Sequence, residues 1–399
     1  MKLLTIAYNY PPIRGPEAIQ ANRLVKYAME QNMEFDIVTR YIGHGYKFRN
    51  RIKEYGNIYR AFSLDNFYVK GAMRVIGHDL ERLPDAEVLW YHFALKKAKI
   101  CLQNNYYDVI YTRSVPFTSH LIGLKLKQEF KLPWIAHFSD PWTDNPYVQY
   151  QKDKTRSKNL EWEKKVMEQA DKLIFTSRET VELVMGKYDE SLFKKAYVLP
   201  HSYDPESIKD LNHTKSEGIP YRISYIGNFY GKRSPKDLFK AIGIAQDQKP
   251  DLERYINFHF FGSMPGRYVS EINNTQIQKL IKYHGEVSYQ ESQKEMELAD
   301  VLVNIDAPGE LNVFLPSKII EYLAFDKPIL SLTPDKGTVN RILKEAGHLC
   351  VQNQDHEQLG QIILKIAKEG TGWIDYDPYA KKNYHPLAVA GQFMRIIAE

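Results

Sequence analysis

Short apolar runs alternate with amphipathic stretches of helix length along most of the chain, and the alternation occurs twice. The run LLTIAY (3–8) has the length of a buried strand and is followed by a Pro/Gly loop, NYPPIRGP (9–16). Beyond it Ala21, Leu24, Val25 and Ala28 fall at i, i+3, i+4 and i+7, the spacing of one helix face. Further strand-length runs follow at 35–40, 108–112, 134–138, 172–177 and 197–200. The polar segment HSYDPESIKDLNHTKSEGIP (201–220) breaks this rhythm and reads as a linker. After it the pattern restarts with RISYIG (222–227), a loop, and a helix carrying Leu238, Ala241, Ile242 and Ala245 on one face. Strands at 257–262, 300–305, 328–333 and 348–351 and a helix at 356–368 complete the second round. Strands alternating with helices predict parallel sheets covered on both faces. The predicted fold class is therefore α/β, with two Rossmann-like domains and an interdomain cleft. Residues 1–205 form the first domain and 206–377 the second, with a C-terminal helix at about 378–399 packing back on the first. Open parallel sheets take ligands at the carboxyl ends of their strands, so the cleft is the expected active site, closing about the 201–220 linker.

The length of 399 residues fits two domains. With 43% apolar and 26% charged residues the chain is neither disordered nor fibrous. Its 28 tyrosines predict clefts with polar faces for a planar or ring-shaped ligand. Cys101 and Cys350 lie far apart, which argues against a disulfide framework or a cysteine metal cluster and fits a reducing compartment. The first apolar run is too short for a signal peptide, and no stretch approaches the roughly 18 apolar residues of a membrane span. A cytoplasmic protein is expected. The net charge of +5 is unevenly spread, since residues 40–74 hold eight basic groups against two acidic ones, interleaved with aromatic rings. This stretch is expected to meet an anionic membrane surface at the inner face of the plasma membrane, or a lipid-diphosphate-linked acceptor, unless it is merely a solvated face. A nucleic-acid partner is not expected.

The most informative stretch is PGELNVFLPSKIIEYLAFDKPIL (308–330). Pro316-Ser317 before an apolar-periodic run marks a helix start, with Ser317 as N-cap. Free amides of the first turn, the helix dipole and the Lys318 ammonium together make a phosphate cradle. Glu321 lies on the same helix face, where a carboxylate can accept two hydrogen bonds from a vicinal diol such as a ribose. Phosphate on the amides and ribose on the carboxylate describe a nucleotide diphosphate. The plainer alternative leaves Ser317 as a cap and Glu321 as a surface charge favoured by the dipole. YIGNFYGKRSP (225–235) follows a strand with Gly227, Gly231 and the basic pair Lys232-Arg233. Glycine allows close backbone approach, and Arg233 can clamp a diphosphate through two bonds. Gly15, with Arg23 in the helix beyond, is the corresponding feature of the first domain. In WIAHFSDPWTDNPY (134–147) a strand end delivers Asp140, placed to hold a sugar hydroxyl or steady developing positive charge. Trp142 offers an apolar platform or belongs to the core, and His137 reads as a packed core histidine.

Seven segments in order carry a resemblance: 10–27, 107–142, 167–177, 198–206, 223–242, 283–291 and 315–330. Together they resemble the GT-B glycosyltransferases of the large retaining family that uses nucleotide sugars, often called family four, and within it the members that build bacterial polysaccharide or lipopolysaccharide repeats. The resemblance implies that Glu321, matching the second glutamate of the family's E-x7-E motif, binds the donor ribose. Val313 stands where the first glutamate belongs, with Glu310 out of register. Gly227 and Arg233 match the loop that contacts the donor diphosphate, with Lys232 or Lys236 supplying the lysine usual there. His284, Gly285 and Val287 match the segment edging the nucleobase. Asp140 matches the acidic residue of an RDPW-like signature in which Ser139 replaces arginine, and Gly15 matches the N-terminal glycine loop.

The expected function is transfer of a sugar from a nucleotide-diphosphate donor to a glycan or lipid-linked acceptor in cell-surface polysaccharide synthesis. Asp140, Arg233 and Lys318 are the expected catalytic residues. Arg233, Lys318 and the helix amides would stabilise the departing phosphate. No DxD-like pair stands at a strand end, so neither a metal nor another cofactor is expected. The resemblance adds retention by a front-face path without a protein nucleophile. Two alternatives stay open: a nucleotide-sugar epimerase on the same architecture, and a non-catalytic carbohydrate-binding protein, which Val313 favours. A dehydrogenase is the least expected class, because no GxGxxG follows the first strand.

Overall fold

The computed structural model describes residues 1–13, 15–42, 52–64, 83–148, 150, 152–208, 220–273 and 275–399. Most of the basic stretch 40–74 and half of the linker candidate 201–220 lie outside the described residues. The chain divides into two compact units, 1–202 with 386–399, and 203–385.

The first unit is built on a seven-stranded sheet of β1 (Lys2–Ile6), β2 (Glu34–Arg40), β3 (Asn57–Ala61), β4 (Val109–Arg113), β5 (Trp134–Phe138), β6 (Lys172–Phe175) and β7 (Ala196–Val198). All pairings are parallel, in the order β3-β2-β1-β4-β5-β6-β7. Its described helices are α1 (Pro16–Met29), α2 (Tyr91–Asn104), α3 (Thr118–Phe130), α4 (Asp153–Gln169), α5 (Arg178–Met185) and, from the chain's end, α12 (Pro386–Ala398). Ala21, Leu24, Val25 and Ala28, the predicted face of α1, pack into one core cluster with Leu3, Phe35 and Ile37 of the sheet and Phe393 of α12. Leu4, Ile6 and Ile110 point the other way, into a second cluster. The sheet is thus apolar on both faces, which is why its inner strands read as unbroken hydrophobic runs.

The second unit repeats the plan. Its strands are β8 (Tyr221–Ile226), β9 (Ile256–Phe261), β10 (Ile281–Gly285), β11 (Val301–Ile305), β13 (Ile329–Leu332) and β15 (Leu349–Val351), in the parallel order β10-β9-β8-β11-β13-β15. A small parallel pair, β12 (Leu311–Asn312) and β14 (Lys336–Gly337), lies outside this sheet. The helices are α6 (Lys236–Gln248), α7 (Gly266–Asn273), α8 (Tyr289–Leu298), α9 (Ser317–Ala324), α10 (Thr338–Glu345) and α11 (His356–Glu369). Leu238, Ala241, Ile242 and Ala245 of α6 are buried against one face of the sheet, and Ile319, Ile320 and Leu323 of α9 against the other. In each sheet the strand order reverses once, between β1 and β4 and between β8 and β11. Such a switch point opens a crevice outside the strand ends, where doubly wound sheets bind ligands.

Candidate functional site

At the switch point of the second unit the chain leaves β8 through Gly227 and leaves β11 through Asp306. Arg233, in the loop after β8, brings Nη2 to 3.8 Å from Asp306 Oδ1 and lays its guanidinium 5.1 Å from the centre of the Tyr230 ring. Lys318, in the first turn of α9, holds its ammonium 4.6 Å from the centre of the Tyr225 ring and 5.9 Å from that of Tyr322. Among the described residues that buried ammonium donates no hydrogen bond. Burial pushes its pKa well down, the Arg233 guanidinium pushes the same way, and the Asp306 carboxylate opposes both. A Cβ at Gly227, whose φ is +157°, would sit in ordinary contact with the Lys318 nitrogen at 3.5 Å. Tyr322 anchors the helix, its hydroxyl accepting from the Ile226 amide at 3.0 Å and donating to the Ile226 carbonyl at 3.1 Å.

Ser317 requires a correction. It is the first residue of α9 rather than its cap; Pro316 occupies the capping position with an extended backbone, and no side chain caps the helix. The Ile319 amide donates to the Pro316 carbonyl at 3.0 Å, which leaves the Ser317 and Lys318 amides without an acceptor in the helix. Glu321 is not a surface charge but only 7% exposed, and its Oε2 accepts a long hydrogen bond of 3.4 Å from the Tyr289 hydroxyl. Val313 is 2% exposed, so the position of the absent motif glutamate is part of the core.

His284, Gly285 and Val287 come at the end of the edge strand β10, two strands away from β8. The His284 ring is exposed and stacks on Phe261 at 4.3 Å, while its Nε2 lies 3.1 Å from Nδ1 of the buried His259. Burial lowers the pKa of both, that of His259 to about 3, so this pair is neutral at physiological pH. Gly285 has φ +75°, a left-handed value that favours glycine. Val287 packs half-buried against the α9 side of the core.

In the first unit Gly15 precedes α1, and the next turn supplies Glu17. The Glu17 carboxylate accepts from Arg113 Nε, at the end of β4, at 2.7 Å and from the Ser139 hydroxyl, just past β5, at 2.5 Å. Asp140 follows, half-buried; burial and the nearby Glu17 charge push its pKa up to about 6. His137 is a buried core histidine bonded through Nδ1 to the Tyr111 hydroxyl at 2.7 Å, and burial beside Arg113 holds it neutral. Trp142 is not a platform. It is 1% exposed, stacked on Phe117 at 4.7 Å, with its indole N–H donated to Asn159 Oδ1 at 2.8 Å.

The structure thus gathers Gly227, Arg233 and Lys318 at one strand-end cluster, places Glu321 one turn further along α9, and keeps the 284–287 segment on the sheet's edge. Gly15 and Asp140 belong to the other unit. Sequence reasoning passed over Asp306, Glu17 and Arg113, although a charged residue at the end of a predicted parallel strand, the signal used for Asp140, marks both Asp306 and Arg113.

No family profile matches the chain, and no curated protein sequence matches it. Solved structures do. Sucrose-phosphate synthase from Thermosynechococcus elongatus superposes with a TM-score of 0.69 at 16% identity, over 100% of this chain and 98% of that one. The lipopolysaccharide outer core galactosyltransferase WaaB in its apo form gives 0.66 at 14%, over 100% and 99%. HepE from Anabaena, in complex with UDP, gives 0.62 at 13%, over the whole of both chains. Identities this low speak for the fold alone: the chain has the two-Rossmann-domain, GT-B fold found in glycosyltransferases.

Proposed function

We propose that the protein is a glycosyltransferase that moves a sugar from a nucleotide-diphosphate donor to a glycan or lipid-linked acceptor. The observation that carries this reading is the Lys318 ammonium, buried and without a hydrogen-bond acceptor among the described residues, beside Arg233 and the Asp306 carboxylate at a switch point. A buried ammonium with no acceptor among the described residues, beside a guanidinium, favours an anion, and a diphosphate supplies acceptors for both, with the Ser317 and Lys318 amides of α9 as further donors. Glu321 then holds the ribose diol, the backbone of Gly285 and Val287 borders the base, and Gly227 and Gly15 allow close approach. That HepE was solved with UDP, on the same fold, supports a nucleotide diphosphate as ligand.

As the bond between sugar and phosphate breaks, charge grows on the leaving diphosphate. Arg233 and Lys318 are fixed donors aimed at that charge, and such preorganised donors contribute about 3 to 4 kcal/mol each in comparable sites. In this reading the sugar keeps its anomeric configuration, the departing phosphate takes the acceptor's proton, no divalent ion is needed, and Asp140 steadies positive charge on the sugar ring. The likeness to WaaB favours an acceptor of cell-surface polysaccharide synthesis.

Thermal shift with UDP-, GDP-, ADP- and CMP-sugars tests the donor class. One diphosphate nucleotide should stabilise the chain, by about 2.7 kcal/mol at a hundredfold excess over Kd. Lys318→Ala and Arg233→Ala should abolish that gain, and turnover with the stabilising donor should persist in EDTA. No shift with any diphosphate, or full shifts in both variants, would refute the proposal. The buried Val313 favours a second reading, a nucleotide-sugar-binding protein without turnover. Donor-dependent glycosylation of any acceptor excludes it.

A further inference from the structure

Helix α2 presents two unlike faces. Ala94, Ala98 and Cys101, at i, i+4 and i+7, are buried in one core cluster with Leu4 of β1, Val38 of β2 and Ala61 of β3. A second face carries Phe93, Lys96, Lys97 and Ile100, at i, i+3, i+4 and i+7. Phe93 is 39% exposed and Ile100 42%. Phe62, the first residue after β3, is 51% exposed and sets its ring edge-on to that of Phe93, with the centres 5.2 Å apart. Single exposed apolar side chains are ordinary on a soluble protein. Here two rings touch in the open, and an isoleucine follows two turns along the same face.

The charge on this helix is equally one-sided, with three lysines and no acidic residue between Tyr91 and Asn104. Lys99 is matched by Glu129 of α3 at 2.6 Å. Lys96 and Lys97, the lysines between Phe93 and Ile100, form no ion pair among the described residues. Helix α4 of the same unit shows the contrast. There Glu161 pairs with Lys158 at 2.8 Å and with Lys165 at 2.6 Å, both on its own helix, as on a face built for water. The α2 face instead joins exposed apolar groups to unanswered positive charge. That combination suits the boundary of an anionic bilayer, where rings and branched chains enter the acyl edge and lysines reach the phosphates. A second copy docked about a twofold axis would set the same lysines against each other. Nucleic acid would take up the lysines and leave Phe93 and Ile100 in water.

We propose that this face of α2, together with Phe62, docks the first unit on an anionic lipid surface. The charge pattern of 40–74 predicted such a contact within that stretch; Phe93, Lys96, Lys97 and Ile100 lie beyond it. The contact between Phe62 and Phe93 also fixes which end of the sheet the lipid borders. Phe62 follows the carboxyl end of β3, and the strands are parallel, so the start of α2 lies at the end where β5 delivers Asp140. A docked bilayer is then held beside the strand ends, and of the two acceptor classes proposed above it selects the lipid-linked one. That selection rests on the glycosyltransferase reading; the docking itself does not.

Flotation of the full-length protein at physiological salt, with vesicles of two parts phosphatidylcholine to one part phosphatidylglycerol, tests the docking. Binding should be at least about tenfold weaker on phosphatidylcholine alone and at high salt. A lysine near such a surface contributes about fivefold, so Lys96→Glu with Lys97→Glu should lower affinity by about 25-fold or more. The same charge change on α4, Lys164→Glu with Lys165→Glu, should alter it by less than about threefold, because charges further off are screened. Phe93→Asp should cut binding at least about tenfold with the melting temperature unchanged, and Ile100→Asp takes its place should that variant not fold. No flotation of the wild type, equal losses in the two lysine pairs, or undiminished binding in the folded aspartate variant would overturn the proposal. So would a dimer in sedimentation velocity that the aspartate variant abolishes, which gives the face to a second copy. No nucleotide enters these measurements, so their failure leaves the donor reading standing; that reading fails separately, on the absence of any nucleotide thermal shift.

Discussion

Glu17 joins three chain segments at the opening of α1, taking a hydrogen bond from Arg113 and another from Ser139. Arg113 is 3% exposed, and truncating its partner strands a buried guanidinium. Glu17→Ala should therefore cost about 3 to 5 kcal/mol in urea unfolding, far more than a surface ion pair. The same carboxylate helps to lift Asp140 to about 6. The sign of the consequence is fixed, because a carboxyl whose pKa is higher folded than unfolded favours the folded state only while protonated. As pH rises from about 4 through 6 the unfolded chain releases its proton first, and the folded state loses stability across that window. Asp140→Asn should match the wild type in melting temperature near pH 4 and exceed it at pH 7, while losing transfer activity if Asp140 steadies the sugar. An equal gap at both pH values would show that the raised pKa is not the cause.

Among the elements, glycines at the strand ends separate into those the backbone demands and those it does not. Gly262, after β9, has φ +113°, and a Cβ there would lie 2.1 Å from the Gly227 carbonyl oxygen, an overlap no rotamer relieves. Gly15 has φ 179°, ordinary extended backbone, and a Cβ there meets nothing within 4 Å. Gly262→Ala should unfold the second unit at lower denaturant, whereas Gly15→Ala should leave stability unchanged; lost turnover in the latter would then report close approach of a ligand. The same contrast explains what the sequence disclosed. The inner strands were legible because both their faces are apolar, while the edge strands β3 and β10 went unread because each is partly exposed and lacks a continuous apolar run. The start of α9 was legible to within one residue, Pro316 taking the capping place expected of Ser317. Trp142 stayed open between platform and core because its burial depends on Phe117 and Asn159, contacts that no local pattern encodes. Gly227, Arg233 and Lys318 were legible as strand-end and helix-start positions, whereas Asp306 in NIDAP was passed over although it follows a predicted strand, because its place 3.8 Å from Arg233 depends on a strand order no local pattern gives.

At the scale of the whole molecule the chain crosses between units at 202/203 and again at 385/386, so the first unit is completed only when the last residues are in place. α12 packs on α1, and Val389, Ala390, Phe393 and Ile396 share one core cluster with Leu3, Val25 and Phe35. The Phe393 ring lies 5.0 Å from that of Tyr111, whose hydroxyl positions His137. The C-terminal helix therefore contributes both to the core under β1 and β4 and to the polar cluster at their ends. Phe393→Ala removes a wholly buried ring and should cost about 3 to 5 kcal/mol. Because that ring belongs to the first unit alone, the loss should be local. Hydrogen exchange should accelerate in α1, β1 and β4 and stay unchanged in α6, β8 and β11, and two unfolding transitions should separate as the first moves to lower temperature. Uniform acceleration across both sheets would mean that the two units unfold as one cooperative body, and that the division drawn by their separate cores has no counterpart in stability.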